Sequence, residues 1–468
     1  MSASPSPSVR AWTAAVALGA LALSGCSLII DLPADCSAAD CNGYQCNPAN
    51  TECLFVCIGP DDCSDGYVCD NLTGAGTCVA RGCAPLSPQV LFFDGTRDLD
   101  EADVDSNGES IAAAYVATGA LRFKTYSALD GSSSPAITVE PAEYAPQSPT
   151  IASDGANYAI VWESDVRFEG AQRELLRFAV MDPAGQVVVA PMTLWVAGFP
   201  APATEKSVDQ PEMVWDDARQ AYVIVFASRI DASSDLVMLA VRADGMAVEG
   251  GEVEHADAKR ITLDPTDALD PIVVLRDANT EPASNFYDVL YREGTTTLDL
   301  SLRTLTSEAQ RAEDDLKLSS VASGSRVEDF AAVGLGGRLV VTWSEGDASD
   351  GDSYQRTLDP IRTPDDARPV VRDLQDTRGA GLMRTPDEAE YATAHAGVYR
   401  GVRDIYVTRY AADGARLTPP FPITSGDDSE PAHPALVPTV DGFLALWEAT
   451  EGEDAGTIQG RYWDCSFR

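Results

Sequence analysis

The chain after residue 83 alternates apolar and polar positions in short runs, a pattern typical of β-strands with one buried face. One five-residue unit recurs along it, with an apolar or aromatic residue at most of its first and fifth positions, such as Tyr158 and Trp162. Its instances are residues 111–115, 158–162, 222–226, 287–291, 339–343, 391–395 and 443–447. The pattern therefore predicts an all-β body built from seven similar units.

The units follow each other at intervals of 47 to 65 residues, which leaves room for about four short strands in each. Tight turns such as Asp154-Gly155 separate neighbouring strands. The strand before the unit is expected to begin at a proline in several cases, namely Pro149, Pro211, Pro271 and Pro434. Four strands per unit predict a seven-bladed β-propeller over residues 85–468. The alternative is two β-sandwich domains, which use the same alternation but need not repeat at this period.

The two ends of this body are expected to meet. The seventh unit ends at Trp463 after three strands, and residues 89–93 are expected to supply the fourth, which would remove an exposed sheet edge. Cys83 would then lie near Cys465. Because Cys465 is isolated and the other cysteine cluster is odd in number, we predict a disulfide between Cys83 and Cys465.

The first 26 residues have the layout of an export signal. Arg10 is the one charged residue among the first ten, and residues 11–23 form an apolar run too short to span a bilayer as a permanent helix. The following Leu23-Ser24-Gly25-Cys26 resembles the lipobox of bacterial lipoprotein precursors. The resemblance implies cleavage before Cys26, a lipid on its thiol and a membrane as a partner through that anchor. Ser27 at the next position implies, by the same resemblance, transport to the outer membrane, with the side of that membrane left open.

A cysteine-rich segment follows the anchor. It contains Cys36, Cys41, Cys46, Cys53, Cys57, Cys63, Cys69, Cys78 and Cys83. Together with Cys465 these suggest five disulfides of open connectivity, because thiols oxidise outside the cytoplasm. A metal site is the less favoured alternative, since the segment has no His and no Cys-x-x-Cys pair. The spacing around Cys63 and Cys69 resembles small modules of EGF type, with a stalk or a protein-binding module as the possible roles.

The predicted organisation is a signal peptide at 1–25, a lipidated linker at 26–35, a disulfide module at 36–83 and the propeller at 85–468. The chain carries 33 basic against 73 acidic residues, for a net charge of −40. A surface of this charge repels phosphate backbones, so we expect no nucleic-acid partner.

Charged residues follow the second strand of several units, and in a propeller these connections gather on one face. Loops on a rigid scaffold are where binding usually resides. The candidate binding loops therefore contain Glu163, Asp165, Arg167, Glu345, Asp347, Asp350, Arg400, Arg403 and Glu448. A solvated set of loops with no ligand is the alternative.

Calcium is the one cofactor that the sequence suggests. Asp103, Asp105 and Asn107 alternate before Gly108, as in the opening of a calcium loop. Ala114 stands where an EF-hand has its Glu, which excludes a true EF-hand. The motif is similar to the short calcium loops of integrin-type propeller blades, and a solvated turn is the alternative.

Signatures of catalysis are scarce. The three histidines are His255, His395 and His433, and His395 occupies a usually aromatic repeat position, which favours packing. No Gly-x-Ser-x-Gly, His-Glu-x-x-His or phosphate-loop motif occurs. The sequence therefore favours a non-enzymatic binding protein with a protein or glycan ligand. The alternatives are a hydrolase of extracellular polysaccharide that uses carboxylates near the ring axis, and a purely structural envelope component.

Overall fold

The computed structural model describes the propeller body and a few short segments before it. Among the described residues no helix is long and apolar enough to cross a membrane. The described residues are 67–70, 77–80, 83–86, 90–91, 102–127, 132–168, 171–197, 207–230, 233–248, 257–262, 267–276, 286–294, 298–319, 326–335, 337–347, 350–358, 368–369, 375–385, 388–399, 402–424, 431–449 and 457–465.

Seven antiparallel sheets stand in a ring, which is the arrangement of a seven-bladed β-propeller. The first strand of each blade is β5 (Ala102–Ser106), β9 (Pro146–Ser153), β13 (Asp209–Asp216), β17 (Ala268–Arg276), β21 (Arg326–Leu335), β25 (Gln375–Arg384) and β29 (Pro431–Pro438). The second strands are β6 (Ser110–Ala117), β10 (Tyr158–Phe168), β14 (Ala221–Ile230), β18 (Phe286–Glu293), β22 (Arg338–Asp347), β26 (Glu390–Tyr399) and β30 (Gly442–Ala449). The prediction of a propeller is confirmed, and the alternative of two β-sandwiches is wrong.

The outer half of each blade completes the sheet. The third strands are β7 (Ala120–Ser127), β11 (Ala171–Met181), β15 (Ser233–Arg242), β19 (Asp299–Thr306), β23 (Asp350–Leu358), β27 (Val402–Ala411) and β31 (Thr457–Asp464). The fourth strands of blades one to six are β8 (Ile137–Glu140), β12 (Val187–Val196), β16 (Lys259–Arg260), β20 (Leu316–Lys317), β24 (Arg368–Pro369) and β28 (Phe421–Pro422). A single turn of 3₁₀ helix, Ala142–Tyr144, links blades one and two.

The first strands surround the axis, because each of them contacts the first strand of the next blade all the way round. We call the face with the hairpins between second and third strands the upper face. The lower face carries the turns between first and second strands and between third and fourth strands. Each first strand therefore begins at the upper face and ends at the lower one.

The repeated unit of the sequence lies in the second strands, which are the most deeply buried. Tyr158 and Trp162 have no exposed surface, and the equivalent Trp343 and Trp447 are 1% or less exposed. His395 takes the same place in blade six, where its Nδ1 lies 3.2 Å from the carbonyl oxygen of Gly379. Burial lowers the pKa of His395 to about 4, so the ring packs in its neutral form.

The ring closes in blade seven as the sequence predicts, but a second short strand outside the predicted residues 89–93 also takes part. Strand β31 pairs with β30 on one side and, on the other, with β3 (Ala84–Pro85) and β4 (Val90–Leu91) from the front of the body. Cys83 and Cys465 form a disulfide at the lower end of this pairing, with their Cα atoms 4.0 Å apart. Both chain ends of the propeller are thus fixed in blade seven.

Ahead of the ring, β1 (Tyr67–Asp70) and β2 (Thr77–Ala80) form an antiparallel hairpin. Its register places Cys69 opposite Cys78. The other cysteines of the segment and the lipidation candidate lie outside the described residues, namely Cys26, Cys36, Cys41, Cys46, Cys53, Cys57 and Cys63.

Blades are joined at their outer edges by arginines that the sequence pattern did not reveal. The guanidinium groups of Arg356 and Arg461 donate to the carbonyl oxygens of Leu318 and Ile423, over 2.9 and 3.1 Å. In blade four, Arg303 donates in the same way to the carbonyl oxygen of Ile261. In each case the arginine lies on a third strand and the acceptor follows the fourth strand of the preceding blade, so the contact links consecutive sheets.

Candidate binding site at the axial mouth

The first strands of four blades share an irregularity near their upper ends. Each has a non-glycine residue with positive φ immediately before a proline, and the pairing with the second strand shifts there. Such backbone costs about 1 kcal/mol or more outside glycine, and bulges of this kind cluster next to functional sites. These residues are Ser148, Gln210, Asp270 and His433, with φ between 45° and 50°. We call the ring that they form with Gly379 of blade six the axial mouth.

The prolines of this motif lie inside the first strands rather than at their beginnings. Strand β9 begins at Pro146 and β13 at Asp209, ahead of Pro149 and Pro211. The expectation that these prolines open the strands is therefore wrong. A proline is tolerated here because the bulge already interrupts the ladder.

Side chains from one blade satisfy the bulged backbone of the next. The Glu163 carboxylate accepts the N–H of Gln210 over 2.6 Å, and the Gln210 amide oxygen accepts the N–H of Asp270 over 3.1 Å. Farther round, the Asp329 carboxylate accepts the N–H of Ala380 over 3.3 Å. The axial mouth is therefore held by polar contacts between blades, which keeps its side chains in fixed positions.

Two aspartates of blade one lie deeper along the axis. Asp103 and Asp105 point from β5 to the next blade, where their carboxylates accept the N–H groups of Ile151 and Ser153 over 2.8 and 2.7 Å. These N–H groups are on the inner edge of β9, where no neighbouring strand pairs with them. Burial raises the pKa of Asp103 to about 7 and that of Asp105 to about 6, against the lowering effect of these hydrogen bonds.

Glu212 is the most unusual carboxylate of the site. It lies on β13, two residues below Gln210, and is only partly exposed. Among the described residues no donor or cation partners its carboxylate, and the nearest charge that acts on it is the like charge of Asp103. Burial and this repulsion raise the pKa of Glu212 well above its usual range. A buried carboxylate without a donor or a counter-charge is costly, so it would bind a ligand that supplies a hydrogen-bond donor or a positive charge.

The rim of the axial mouth between blades two and three is also acidic. Burial raises the pKa of Glu163 to about 7, and the neighbouring Asp209 and Glu174 add to the shift. Glu174 accepts the N–H of Val208 over 3.0 Å and stands directly opposite Asp165 across the β10–β11 hairpin. Burial raises the pKa of Glu174 as well. Several carboxylates therefore lie close together at the entrance of the axial mouth. Hydrogen bonds within the protein, such as that from Val208 to Glu174, already hold the backbone there.

Comparison with known proteins gives fold-level similarity alone. No protein-family model matches the chain, and no curated protein matches it. A protein of unknown function from Dyadobacter fermentans is similar at 10% identity and a TM-score of 0.42, over 69% of this chain and 95% of that chain.

Two enzymes are similar at the same level. For a Trypanosoma rangeli sialidase the identity is 9% and the TM-score 0.39, over 69% of this chain and 56% of that chain. For the catalytic domain of a Coprinopsis cinerea α-L-arabinofuranosidase the values are 12% and 0.30, over 54% and 90%. Similarities this distant carry no argument about function.

The predicted binding residues lie at the upper face, but on strands rather than in long loops. Strands β10 and β11 extend to within two residues of each other, as do β22 and β23. Glu163 and Asp165 reach the rim of the axial mouth, whereas Glu345 accepts the indole N–H of Trp343 over 2.7 Å. The other positions on these strands are Arg167, Asp347, Asp350, Arg403 and Glu448, and Arg400 lies outside the described residues.

The predicted calcium residues have other partners inside the protein. Asp103 and Asp105 bind backbone N–H groups, and the Asn107 amide oxygen accepts the N–H groups of Glu109 and Ser110 in a lower-face turn. In the part of the chain that the structure describes, no group of three or more His, Cys, Asp or Glu side chains is arranged to hold a metal. The calcium loop stays a prediction, without support from this geometry.

The sequence did contain a signal for Glu212 that the repeat pattern concealed. Its strand continues as Met213-Val214-Trp215, so a charged residue begins an otherwise apolar run. A charge at the start of a strand is ordinarily taken as the end of a loop. The position becomes informative only when the first strand is known to face the axis.

Proposed function

We propose that the protein is a lipid-anchored binding protein of the bacterial cell envelope, and that its axial mouth takes a cationic group from a protein partner. The group would be the ammonium of a lysine or the guanidinium of an arginine. The observation that carries the proposal is the partly buried carboxylate of Glu212, which has no partner among the described residues and is repelled by the like charge of Asp103.

The electrostatics of the site favour a cation over a neutral ligand. Glu212, Asp103 and Glu163 all lose stability as anions, because burial removes their water. A positive group would restore the anionic form and donate charge-assisted hydrogen bonds, which are about twice as strong as neutral ones. The net charge of −40 would raise the rate at which such a ligand arrives.

The spacing of the carboxylates favours an amine or guanidinium over a metal ion. A divalent metal needs several oxygens within about 2.5 Å of one point. The described carboxylates do not form such a cluster. A lysine or arginine head instead spreads its donors over several ångströms and can reach acceptors on neighbouring strands.

The test is a binding measurement on the mature, full-length protein in detergent. The probe is a fluorescein-labelled tetralysine peptide, followed by fluorescence anisotropy. We expect Glu212→Gln to weaken binding about tenfold, because it removes one buried charge from the site. Affinity for the unmodified protein is expected to rise between about pH 6 and about pH 8. Raised pKa values keep Asp103 and Glu163 partly protonated at the lower pH, and they become anionic at the higher.

The matched control is Glu109→Gln, which removes the same charge from an exposed position in a lower-face turn. It is expected to change the affinity by less than about twofold, since exposed charges are screened by salt. An equal loss in both variants would show that the peptide senses only the net charge. That result, or no binding at all, would overturn the proposal.

The proposal of export and of a lipid anchor rests on the sequence of residues 1–26. Labelling of cells with radioactive palmitate would show the lipid on the unmodified chain and none on a Cys26→Ser variant. Equal labelling of both chains would exclude Cys26 as the anchor.

A further inference from the structure

The disulfide that closes the ring joins two sulfurs in different surroundings. Cys83 is 3% exposed and packs among apolar residues of blades six and seven, whereas Cys465 is partly exposed. A thiol from solution can therefore approach the sulfur of Cys465 more easily than that of Cys83.

A buried cation lies beside the sulfur of Cys83. The guanidinium of Arg409, on β27 of blade six, donates to this sulfur over 3.6 Å. Its other terminal nitrogen binds the carboxylate of Glu390 over 2.5 Å, which holds the group in place. The side chains of Arg409 and Glu390 are only 12% and 16% exposed, so salt screens the charge weakly. A positive charge in this position stabilises the thiolate that forms when the disulfide breaks.

The charged neighbours of Cys465 have the opposite sign. Asp464 precedes it in the chain, and the carbonyl oxygen of Asp441 accepts its N–H over 2.7 Å. Negative charge near a sulfur disfavours the thiolate. When the bond breaks, the negative charge is therefore more stable on Cys83 than on Cys465, and the stabilised thiolate is the better leaving group.

We propose that Cys465 is a site of thiol–disulfide exchange, where a dithiol reductant opens the closure of the ring. A thiolate of the reductant attacks the sulfur of Cys465 and forms a mixed disulfide, while the bond to Cys83 breaks and its electron pair remains on Cys83. The second thiolate of the reductant then attacks the mixed disulfide, so the reductant leaves as a disulfide. The Cys465 thiolate that is released takes up a proton. Two electrons have passed from the dithiol to the cysteine pair, and the reaction is independent of the axial mouth.

Exchange at Cys465 would weaken the attachment of the front of the body to blade seven. Beyond the disulfide, β3 and β4 are held to β31 by only two paired residues each. The sheets of the other blades do not include this bond, so their pairing would remain. Reduction is therefore expected to open the closure and to leave the rest of the ring folded.

Glutathione, a monothiol, can stop the reaction at the mixed disulfide. The native, full-length protein is incubated with reduced glutathione at about pH 8, quenched with N-ethylmaleimide and digested with trypsin for mass spectrometry. Cleavage after Arg81, Arg97 and Arg461 places Cys83 and Cys465 on separate peptides that contain no other cysteine. We expect glutathione on Cys465 and maleimide on Cys83. The reverse labelling, equal labelling of both or no exchange at either would overturn the proposal.

Substitution of Arg409 separates its charge from its packing. With dithiothreitol as the reductant, we expect Arg409→Met to slow the appearance of maleimide-labelled Cys83 about fivefold, because the leaving thiolate loses its counter-charge. Arg409→Lys keeps the charge and is expected to react within about twofold of the unmodified protein. A purely structural role predicts the opposite for Arg409→Met, since loss of the contact with Glu390 would loosen blade six and speed the reduction.

The matched control is Arg356→Met in blade five. Arg356 also lies on a third strand and donates to a backbone carbonyl oxygen, that of Leu318, but it is not near the disulfide. Its rate of reduction is expected to equal that of the unmodified protein. An equal slowing in both variants would show that only the net charge matters, and an unchanged or faster reduction of Arg409→Met would show that the arginine does not stabilise the leaving group. Either result overturns the proposal.

Discussion

Replacing Asp288 with alanine is expected to lower the free energy of unfolding by about 3–5 kcal/mol. Asp288 of β18 has no exposed surface and receives two hydrogen bonds from Arg276 of β17, over 2.7 and 2.6 Å. Arg276 is itself only 7% exposed and also donates to the hydroxyl of Thr304 over 3.2 Å. Without the carboxylate, a guanidinium would remain buried without a counter-charge, which is the costly state. Denaturant unfolding followed by tryptophan fluorescence measures the loss.

The double variant Asp288→Leu, Arg276→Met separates the cost of an unpaired charge from the worth of the pair. Apolar side chains of similar volume often replace a buried ion pair at little cost, so the double variant is expected within about 1 kcal/mol of the unmodified protein. If the double variant were as unstable as Asp288→Ala, shape and not charge would be the cause. A fully stable Asp288→Ala would contradict the assignment of this pair as buried.

Removing the ring-closing disulfide, by Cys83→Ser with Cys465→Ser, is expected to cost about 4–6 kcal/mol. The bond joins residues 382 positions apart, and the entropy that a crosslink removes from the unfolded chain grows with the length of the closed loop. Thermal unfolding under non-reducing conditions measures the effect as a lower Tm. Reductant is expected to lower the Tm of the unmodified protein and to leave the propeller transition of the double variant where it is.

The location of the damage provides the control for this variant. Hydrogen exchange is expected to accelerate more in β31, which pairs with the two short strands that follow Cys83, than in β15 of blade three, because β31 can also open locally once the bond is gone. Equal acceleration in both strands would mean that the bond acts only through the entropy of the unfolded chain and does not hold the closure locally. Unchanged exchange and an unchanged Tm would show that the bond adds nothing.

The ring could be predicted from the sequence because its most buried strands repeat a simple pattern. The second strand of each blade is covered on both faces, so positions such as Tyr158 and Trp162 are fixed by packing alone. The closing disulfide could be inferred because Cys465 had no nearby candidate partner. The first prediction depends on the local pattern of apolar residues and the second on the number and positions of the cysteines. Neither requires knowledge of how the blades contact each other.

The axial site could not be predicted in the same way, because its chemistry depends on contacts between blades. Glu163 and Gln210 are 47 residues apart in the chain and meet only when the sheets are arranged around an axis. The bulges before Pro149 and Pro211 follow no pattern within one blade, so the sequence alone predicts these prolines at the first residues of their strands. The sequence also predicts loops for charged residues such as Asp165, because strands that are exposed to water at the rim carry the same charged side chains as loops.

The pairing of β31 with β3 and β4 also determines when the propeller can finish folding. Residues 84–91 belong to the earliest part of the body to be synthesised, yet their partner at 457–464 is made last. Contacts across so many residues form slowly. Until the final strand arrives, β30 presents an open edge to other chains, and open edges are templates for aggregation. A chain that is truncated before residue 457 would therefore keep β30 as an unpaired edge strand, and we expect proteases to degrade it.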